Sequence, residues 1–211
     1  MHTCYLIGAA PDAAPVVLEE GDYVIAADGG CDTVRKWGLL PDFVVGDFDS
    51  MLQPAPSGVT CKKVPAEKDD TDLALALREG LDRGYRRFEL IGAAGGRPDH
   101  TFANMQLLVK AASLGAFAVM RQDGFSTAAL TENGSLKLRG SGKVSVFSFG
   151  GQAKGVTLRG LKYPLVEAEL TQDKPVGVSN EIVGGEAEIS LENGVLLVFW
   201  EDDGIQPLVN V

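Results

Sequence analysis

Short apolar runs alternate with amphipathic segments along the first 120 residues of the chain. The apolar runs have the length and continuity of buried β-strands, and they cover residues 5–10, 23–27, 43–45, 88–91 and 116–120. Continuous apolar strands separated by helices are typical of a parallel sheet with both faces covered. We therefore predict four or five parallel strands, with ligands bound outside the carboxyl ends of those strands.

Helix signals occupy the segments between these strands. Residues 31–40 form a short predicted helix that stops before Pro41. A second helix carries leucines at four-residue spacing after Thr71, with Asp69 or Asp70 as its N-cap and Gly84 just beyond its end. A third begins at Pro98 and ends at Gly115, and its predicted buried face consists of Phe102, Met105, Val109 and Ala112.

The pattern changes after Gln122, where short, mostly alternating strands replace the helices. The strand-like runs cover residues 135–138, 143–146, 155–158, 187–191 and 195–200. Two Asn-Gly pairs, Asn133-Gly134 and Asn193-Gly194, predict hairpin turns between strands. The predicted fold is thus an α/β N-terminal domain with a mainly parallel sheet at residues 1–122, followed by an all-β sandwich domain at residues 123–211.

Composition narrows the class of protein. With 45% apolar and 23% charged residues among 211, the chain has ample material for a globular core. A formal charge of −10 argues against nucleic-acid binding, because no basic stripe is present to pair with phosphates. No apolar run approaches the roughly 18 residues that span a bilayer. The three cysteines, Cys4, Cys31 and Cys61, are odd in number and widely spaced, which favours a reduced, cytoplasmic protein.

The first candidate site is an acidic motif at the end of a predicted strand. Asp47 and Asp49 lie two positions apart, and Asp28 ends the preceding strand-like run. In an extended segment, residues two apart face the same side, so Asp47 and Asp49 can converge on one magnesium ion. Two carboxylates about 4 Å apart repel by about 1 kcal/mol in water and about 4 at an effective dielectric near 20, which a cation would relieve. The alternative interpretation is an ordinary strand-to-turn junction.

A second acidic run, residues 68–72, opens the second predicted helix. As a purely structural feature, it caps the helix and complements its dipole. The same helix start offers backbone N–H groups to a phosphate, with Lys68 as a point charge and Asp72 facing the metal.

A glycine-rich loop at residues 92–96 precedes Arg97, Asp99 and His100. It fits a phosphate-binding turn, although it matches neither the dinucleotide-binding pattern nor the P-loop. The fork of Arg97 suits phosphate oxygens, and we interpret His100 as a helix-start residue. Two histidines in these positions offer little material for a catalytic triad. Ser179 and Asn180 can belong to an ordinary loop.

Taken together, five segments resemble the thiamine pyrophosphokinase family of the bacterial type. The segments are residues 27–30, 46–50, 68–72, 96–100 and 177–181, and the resemblance covers nearly the whole chain. It implies transfer of a pyrophosphoryl group from ATP to the hydroxyl of thiamine, giving thiamine diphosphate and AMP. It also implies a homodimer with sites between subunits. Tyr163 stands where many relatives have tryptophan, which leaves an aromatic role at this position open.

The resemblance also implies roles for individual residues. It assigns ATP and magnesium to the N-terminal domain and thiamine to the C-terminal domain. Asp47, Asp49 and Asp72 are the implied magnesium ligands. The implied nucleotide and phosphate contacts are Lys68, Asp69, Thr71, Arg97 and Asp99, and the implied thiamine contacts are Asp28, Ser179 and Asn180. For catalysis, Asp72 or Asp99 is expected to accept the hydroxyl proton, and Arg97 or Lys68 to assist departure of AMP.

Two alternative functions remain open from the sequence. One is a pyrophosphokinase that acts on another alcohol, such as a pterin. The other is a sensor that binds a nucleotide or thiamine without turnover.

Overall fold

The computed structural model describes residues 2–67 and 69–208, so the predicted contact Lys68 lies outside the described residues. The chain divides into two compact units, residues 1–123 and 124–211. None of the helices within the described residues is long and apolar enough to cross a membrane.

Among its described residues, the first unit contains six strands and three helices. In chain order they are β1 (Cys4–Ile7), β2 (Tyr23–Ala27), α1 (Gly30–Lys36), β3 (Phe43–Gly46), β4 (Thr60–Lys63), α2 (Asp72–Asp82), β5 (Arg87–Ile91), α3 (Pro98–Ser113) and β6 (Phe117–Gln122). The strands lie in the order β6-β5-β1-β2-β3-β4, and all neighbours among them are parallel. The carboxyl ends of β1, β2, β3 and β5 therefore meet at one edge of this sheet.

The apolar runs become the central strands because these are covered on both faces. All four residues of β1 are buried, and Leu6 pairs in register with Ile25 on one side and Leu90 on the other. Each such side chain contributes roughly 1.5–3 kcal/mol when it is fully buried. These buried central strands hold the connecting loops at fixed positions.

One strand has no apolar signature and was not predicted. The edge strand β4 is exposed along its whole length and contains Lys62 and Lys63. Because an exposed edge buries no face, its sequence shows no hydrophobic pattern. The sheet accordingly has six parallel strands in this unit, rather than four or five.

The helix predictions were right in position and partly wrong in detail. The N-cap of α2 is Thr71, not Asp69 or Asp70, and its side chain accepts a hydrogen bond from the Ala74 N–H at 3.2 Å. Gly84 follows the end of α2 with a φ of 91°, as predicted.

The buried face of α3 is rotated from its predicted position. It consists of Asn104, Leu107, Leu108 and Ala111. Phe102, predicted to be buried, is 54% exposed. The prediction counted only apolar residues, whereas the polar Asn104 is also buried and its amide donates to the Ala93 carbonyl at 2.6 Å.

The second unit contains two antiparallel sheets and no helix among its described residues. Its strands are β7 (Phe125–Leu130), β8 (Ser135–Gly140), β9 (Lys143–Ser148), β10 (Ala153–Arg159), β11 (Leu165–Leu170), β12 (Asn180–Glu181), β13 (Glu186–Ser190), β14 (Leu196–Glu201) and β15 (Ile205–Leu208). One sheet has the order β12-β9-β14-β7 and the other β11-β10-β13-β8-β15. The predicted fold class, an α/β part followed by an all-β part, is confirmed.

The two Asn-Gly pairs do not form hairpins. Asn133-Gly134 connects β7 to β8, and Asn193-Gly194 connects β13 to β14, yet in each case the two strands belong to different sheets. Asn133 adopts the left-handed conformation with a φ of 57°, and its N–H donates to the Glu192 carbonyl. Residues 132–133 form a turn, and Asn193 forms an isolated bridge with Lys154. Both segments lead the chain from one sheet to the other, so the prediction of hairpins was wrong.

Candidate active site

A cleft of about 460 Å³ opens at the carboxyl edge of the parallel sheet. Loops after β1, β2, β3 and β5 and the first turns of α2 and α3 line it. Its polar lining includes Asp28, Asp47, Asp49, Thr71, Asp72 and Arg97. This is the position at which open parallel sheets bind ligands, since loops from neighbouring strands converge there.

The floor of the cleft depends on a close approach of two loops. A Cβ on Gly8 would lie 2.3 Å from the Gly92 carbonyl oxygen, and one on Gly92 would lie 2.6 Å from the Gly8 oxygen. The Ala10 N–H donates to the Gly92 carbonyl at 2.9 Å. Only glycine fits at both positions, which explains the glycines at the ends of β1 and β5.

Three carboxylates gather at one side of the cleft. An oxygen from each of Asp28, Asp47 and Asp49 lies within 4.8 Å of the other two. Asp28 is 8% exposed, and its Oδ1 is buried without a hydrogen-bond partner among the residues that the structure describes. A Cβ on Gly46 would lie 2.9 Å from the Cβ of Asp28, so glycine at the end of β3 is what allows Asp28 to sit beside Asp47.

Asp47 and Asp49 converge through a turn rather than through an extended segment. Phe48 between them has a φ of 70° and packs partly buried against the apolar core of the sheet. The Asp49 N–H donates to Asp47 Oδ1 at 3.1 Å, and the Ser50 hydroxyl donates to Asp49 Oδ1 at 2.9 Å. The predicted convergence is therefore present, although its geometric cause differs from the one expected.

These residues fit a hard divalent cation. All three donors are carboxylate oxygens, the type that magnesium prefers. Opposite ligands of an octahedral magnesium ion are about 4.2 Å apart, twice the usual bond length, so small side-chain rotations bring the three oxygens into range. The buried Asp28 oxygen supports the same conclusion, because a buried carboxylate that lacks a hydrogen bond calls for a cation.

The start of α2 faces the same cleft. Thr71 and Asp72 line it, whereas Asp69 is not among the described lining residues, and Asp70 pairs with Arg78 at 3.1 Å. Asp72 does not belong to the three-carboxylate cluster found within the described residues. The structure thus brings Asp47 and Asp49 together with Asp28, and Asp72 lines the same cleft without belonging to this cluster.

Arg97 also lines the cleft, and it is held by Asp99. Its Nη2 and Nε donate to the two carboxylate oxygens of Asp99 at 2.6 and 3.2 Å. This two-point bond lowers the pKa of Asp99 from 3.8 to about 2 and raises the pKa of Arg97. The Arg97 side chain is 71% exposed, so a ligand can reach it.

Several lining residues were not predicted. They include Ala9, Ala10 and Pro11 after β1, and Thr101 and Asn104 on α3. The loop after β1 could have been found from its place at the carboxyl end of a predicted strand. Asn104 gave no comparable signal, because its burial is visible only once the helix is packed.

The two predicted thiamine contacts in the second unit differ in exposure. Ser179 is exposed, with a φ of 56°, and its N–H donates to the Ser145 hydroxyl at 3.0 Å. Asn180 is 4% exposed, and its side chain bonds both the N–H and the carbonyl of Tyr163, at 2.9 and 2.8 Å. The Tyr163 side chain itself is 63% exposed.

Two family descriptions match this chain. Residues 14–119 match "Thiamin pyrophosphokinase, catalytic domain", and residues 136–196 match "Thiamin pyrophosphokinase, vitamin B1 binding domain". A curated relative, thiamine pyrophosphokinase of Bacillus subtilis (strain 168), is 29% identical over 187 residues, which cover 85% of this chain and 87% of the relative.

Solved structures agree with this assignment. A thiamine pyrophosphokinase structure from Bacillus subtilis has a TM-score of 0.85 at 25% identity, and covers 96% of this chain and 100% of that chain. One from Geobacillus thermodenitrificans has a TM-score of 0.82 at 27% identity, over 95% and 97% of the two chains. The Candida albicans thiamin pyrophosphokinase, at 14% identity and a TM-score of 0.73 over 95% and 90% of the two chains, shares the fold. The chain belongs to the thiamine pyrophosphokinase family.

Proposed function

We propose that this chain transfers the pyrophosphoryl group of ATP to the hydroxyl of thiamine in a magnesium-dependent reaction that yields thiamine diphosphate and AMP. Family membership supports the reaction and both substrates. The observation that carries the metal-dependent part is the cluster of Asp28, Asp47 and Asp49 on the wall of a cleft that also presents Arg97.

The reaction forms one P–O bond and breaks another. The thiamine hydroxyl oxygen attacks the β-phosphorus of ATP, the bond from that phosphorus to the oxygen bridging to the α-phosphorus breaks, and AMP leaves with the bridging oxygen. In this proposal Asp28, Asp47 and Asp49 hold the magnesium ion, and Asp72 stays a predicted further ligand. A bound magnesium ion would neutralise negative charge on the phosphate oxygens.

Arg97 is proposed to bind the phosphates and to stabilise the charge on the departing AMP. A guanidinium carries five N–H donors, and the two bonds to Asp99 leave others for phosphate oxygens. Asp99 thereby orients Arg97 toward the cleft. The backbone N–H groups at the start of α2, beside Thr71, are proposed as a second phosphate contact. Lys68 and Asp69 remain predicted nucleotide contacts.

Asp72 is the better of the two predicted proton acceptors. Arg97 keeps the pKa of Asp99 near 2, which makes that carboxylate a weak base at neutral pH. Asp72 lines the cleft at the start of α2, where a ligand can meet it. We therefore assign the hydroxyl proton to Asp72 in this proposal, at the carboxylate oxygen that would not bind the magnesium ion.

The second unit is proposed to bind thiamine, with Ser179 as a direct contact and with Asn180 near the ligand. We further propose a homodimer with sites between subunits. Five large apolar side chains in the segment 163–183 are more than half exposed, which supports their burial against a second copy: Tyr163, Val166, Val176, Val178 and Val183. A molar mass measured by light scattering would test the dimer.

A cytoplasmic location is also proposed. All three cysteines are free thiols, as is usual in a reducing compartment. Burial raises the pKa of the Cys4 and Cys31 thiols, so both stay protonated and unreactive.

The test is an assay of AMP release from ATP and magnesium. We expect AMP and thiamine diphosphate to appear in equal amounts, and only when thiamine is added. AMP release with a pterin alcohol but not with thiamine would show that the acceptor substrate is a pterin alcohol. Tight binding of ATP and thiamine with no AMP formed would instead identify a sensor.

A further inference from the structure

Helix α1 and the segment after the acidic turn are joined by a network of hydrogen bonds. Asp32 Oδ2 accepts from the Leu52 N–H at 2.6 Å, and Asp32 Oδ1 accepts from Arg35 Nη1 at 2.9 Å. Arg35 donates in turn to the carbonyls of Gln53, at 3.2 Å, and Pro54. Asp32 and Arg35 thus bind the backbone of three consecutive residues. We call this pair and residues 52–54 the α1 latch.

The latch connects the two loops that carry the carboxylate cluster. Asp32 follows Asp28 by four positions, on the helix that begins at Gly30. Residues 52–54 follow Asp49 by three to five positions. The two loops also approach each other closely, since a Cβ added to Gly29 would lie 3.3 Å from the Ser50 carbonyl oxygen. The latch therefore closes the stretch of chain that contains Asp47 and Asp49 onto the helix that follows Asp28.

The bonds of the latch are well placed to hold this segment. The side chains of Asp32 and Arg35 are only 12% and 21% exposed, so their ion pair is shielded from water more than most surface pairs. Each bond to the segment has one charged partner, which strengthens it. Apolar packing does not anchor the segment at Leu52, because this residue is 83% exposed.

We propose that Asp32 and Arg35 are positioning residues that hold Asp47 and Asp49 beside Asp28 at the spacing a divalent cation needs. The inference rests on the proposed function. Three carboxylates within 4.8 Å of one another repel, and this repulsion opposes the approach of the loops that carry them. A tether between the loops counteracts this repulsion, so the site is arranged before the ion arrives.

The experiment compares magnesium binding in wild type, Asp32→Ala, Arg35→Ala and Arg35→Lys by calorimetry, with Mn²⁺ and electron paramagnetic resonance as a second probe. Removing a group that orients metal ligands typically weakens metal affinity by about 10- to 100-fold. We expect a Kd increase of that size in the two alanine variants. Arg35→Lys keeps the charge but loses the fork, so an intermediate Kd is expected. Hydrogen exchange at the Leu52 amide should accelerate in Asp32→Ala.

The matched control is Arg139→Ala, which removes an arginine that pairs with Glu186 in the second unit at 2.8 Å. Its magnesium Kd and its Leu52 exchange should equal those of wild type. Melting temperatures identify any variant that fails to fold. If an alanine variant is unfolded, the magnesium Kd is compared between wild type and Arg35→Lys, the mildest change.

Two results would overturn the inference, and only the second would also overturn the proposed metal site. If wild type binds the ion and the folded latch variants bind it equally well, the latch has no positioning role while the proposed metal site stands. If wild type takes up neither Mg²⁺ nor Mn²⁺, with or without ATP, both the metal site and the latch are wrong.

Discussion

Asp28 changes the chemistry of the cleft, because it turns a pair of carboxylates into a cluster of three. The resemblance placed Asp28 among the thiamine contacts, and the structure sets it 8% exposed beside Asp47 and Asp49. Its backbone is in the left-handed region, with a φ of 46°, and its N–H donates to the Val45 carbonyl at 2.8 Å. This position supports the proposal that Asp28 helps to hold the magnesium ion, and its contact with thiamine stays a prediction.

Replacing Asp28 by asparagine should separate folding from metal binding. We expect magnesium-dependent AMP release to fall by about 100-fold or more, because one of the three carboxylates proposed to hold the phosphate-neutralising ion loses its charge. In EDTA the melting temperature should stay level or rise, since one of three repelling charges is gone. Activity assays and thermal melts measure the two effects.

Asp123→Asn is the control for Asp28→Asn. Asp123 also has a left-handed backbone, with a φ of 48°, but it is exposed and is not among the described residues that line the cleft. Equal loss of activity in both variants, or normal turnover in Asp28→Asn, would contradict the role of Asp28.

The pair of Arg97 and Asp99 should be visible in a pH titration. The folded-state pKa of Asp99, about 2, lies below its ordinary 3.8 because Arg97 stabilises the charged form. Its contribution to stability is therefore complete above about pH 4 and is lost as the pH falls toward 2. Carboxyl ¹³C shifts should report a midpoint near 2 in wild type and near 3.8 in Arg97→Gln. A midpoint unchanged by Arg97→Gln would show that the pair does not persist in solution.

Helix α2 combines a structural and a binding role in its first residues. The Thr71 hydroxyl caps the helix, and both Thr71 and Asp72 line the cleft. Thr71→Ala should lower the free energy of unfolding by about 0.5–2 kcal/mol, because the Ala74 N–H loses its partner. Thr71→Ser, which keeps the hydroxyl, should restore most of the loss. Urea unfolding measures the stability, and an equal loss in both variants would rule out capping as the cause.

The elements that the sequence predicted best are buried ones, in which apolar residues form a run or recur at regular spacing. β2 was predicted at its observed bounds, and α2 was located by its leucines and by Gly84. The exposed edge strand β4 shows no such pattern. The face of α3 was misplaced because a buried asparagine looks like a surface residue until its partner, the Ala93 carbonyl, is known.

Some features of the candidate site were likewise predictable from the sequence, and others were not. Strand ends predicted which loops would meet, because the carboxyl ends of parallel strands share an edge. Sequence spacing could not determine which carboxylates would converge. That outcome depends on the turn at Phe48 and on the approach of Gly46 to Asp28, both of which are tertiary features.

At the scale of the whole molecule, the acidic cluster should link magnesium to stability. A ligand that binds only the folded state at 100 times its Kd adds about 2.7 kcal/mol by mass action. We therefore expect magnesium to raise the melting temperature of wild type and EDTA to reverse the increase, with little effect on Asp28→Asn. Differential scanning calorimetry provides the measurement. An equal shift in both proteins would indicate a general salt effect instead of a specific site.

The exposed strand β4 is the last strand of the sheet within the described residues, and an edge strand is a template on which another chain could add a strand. Lys62 and Lys63 stand on this strand, and like charges on two approaching copies repel. Neutralising both lysines, for instance by acetylation, would remove that protection. Aggregation in concentrated solution would then start at this border of the sheet, which lies in the sequence between the acidic turn at residues 47–49 and the start of α2.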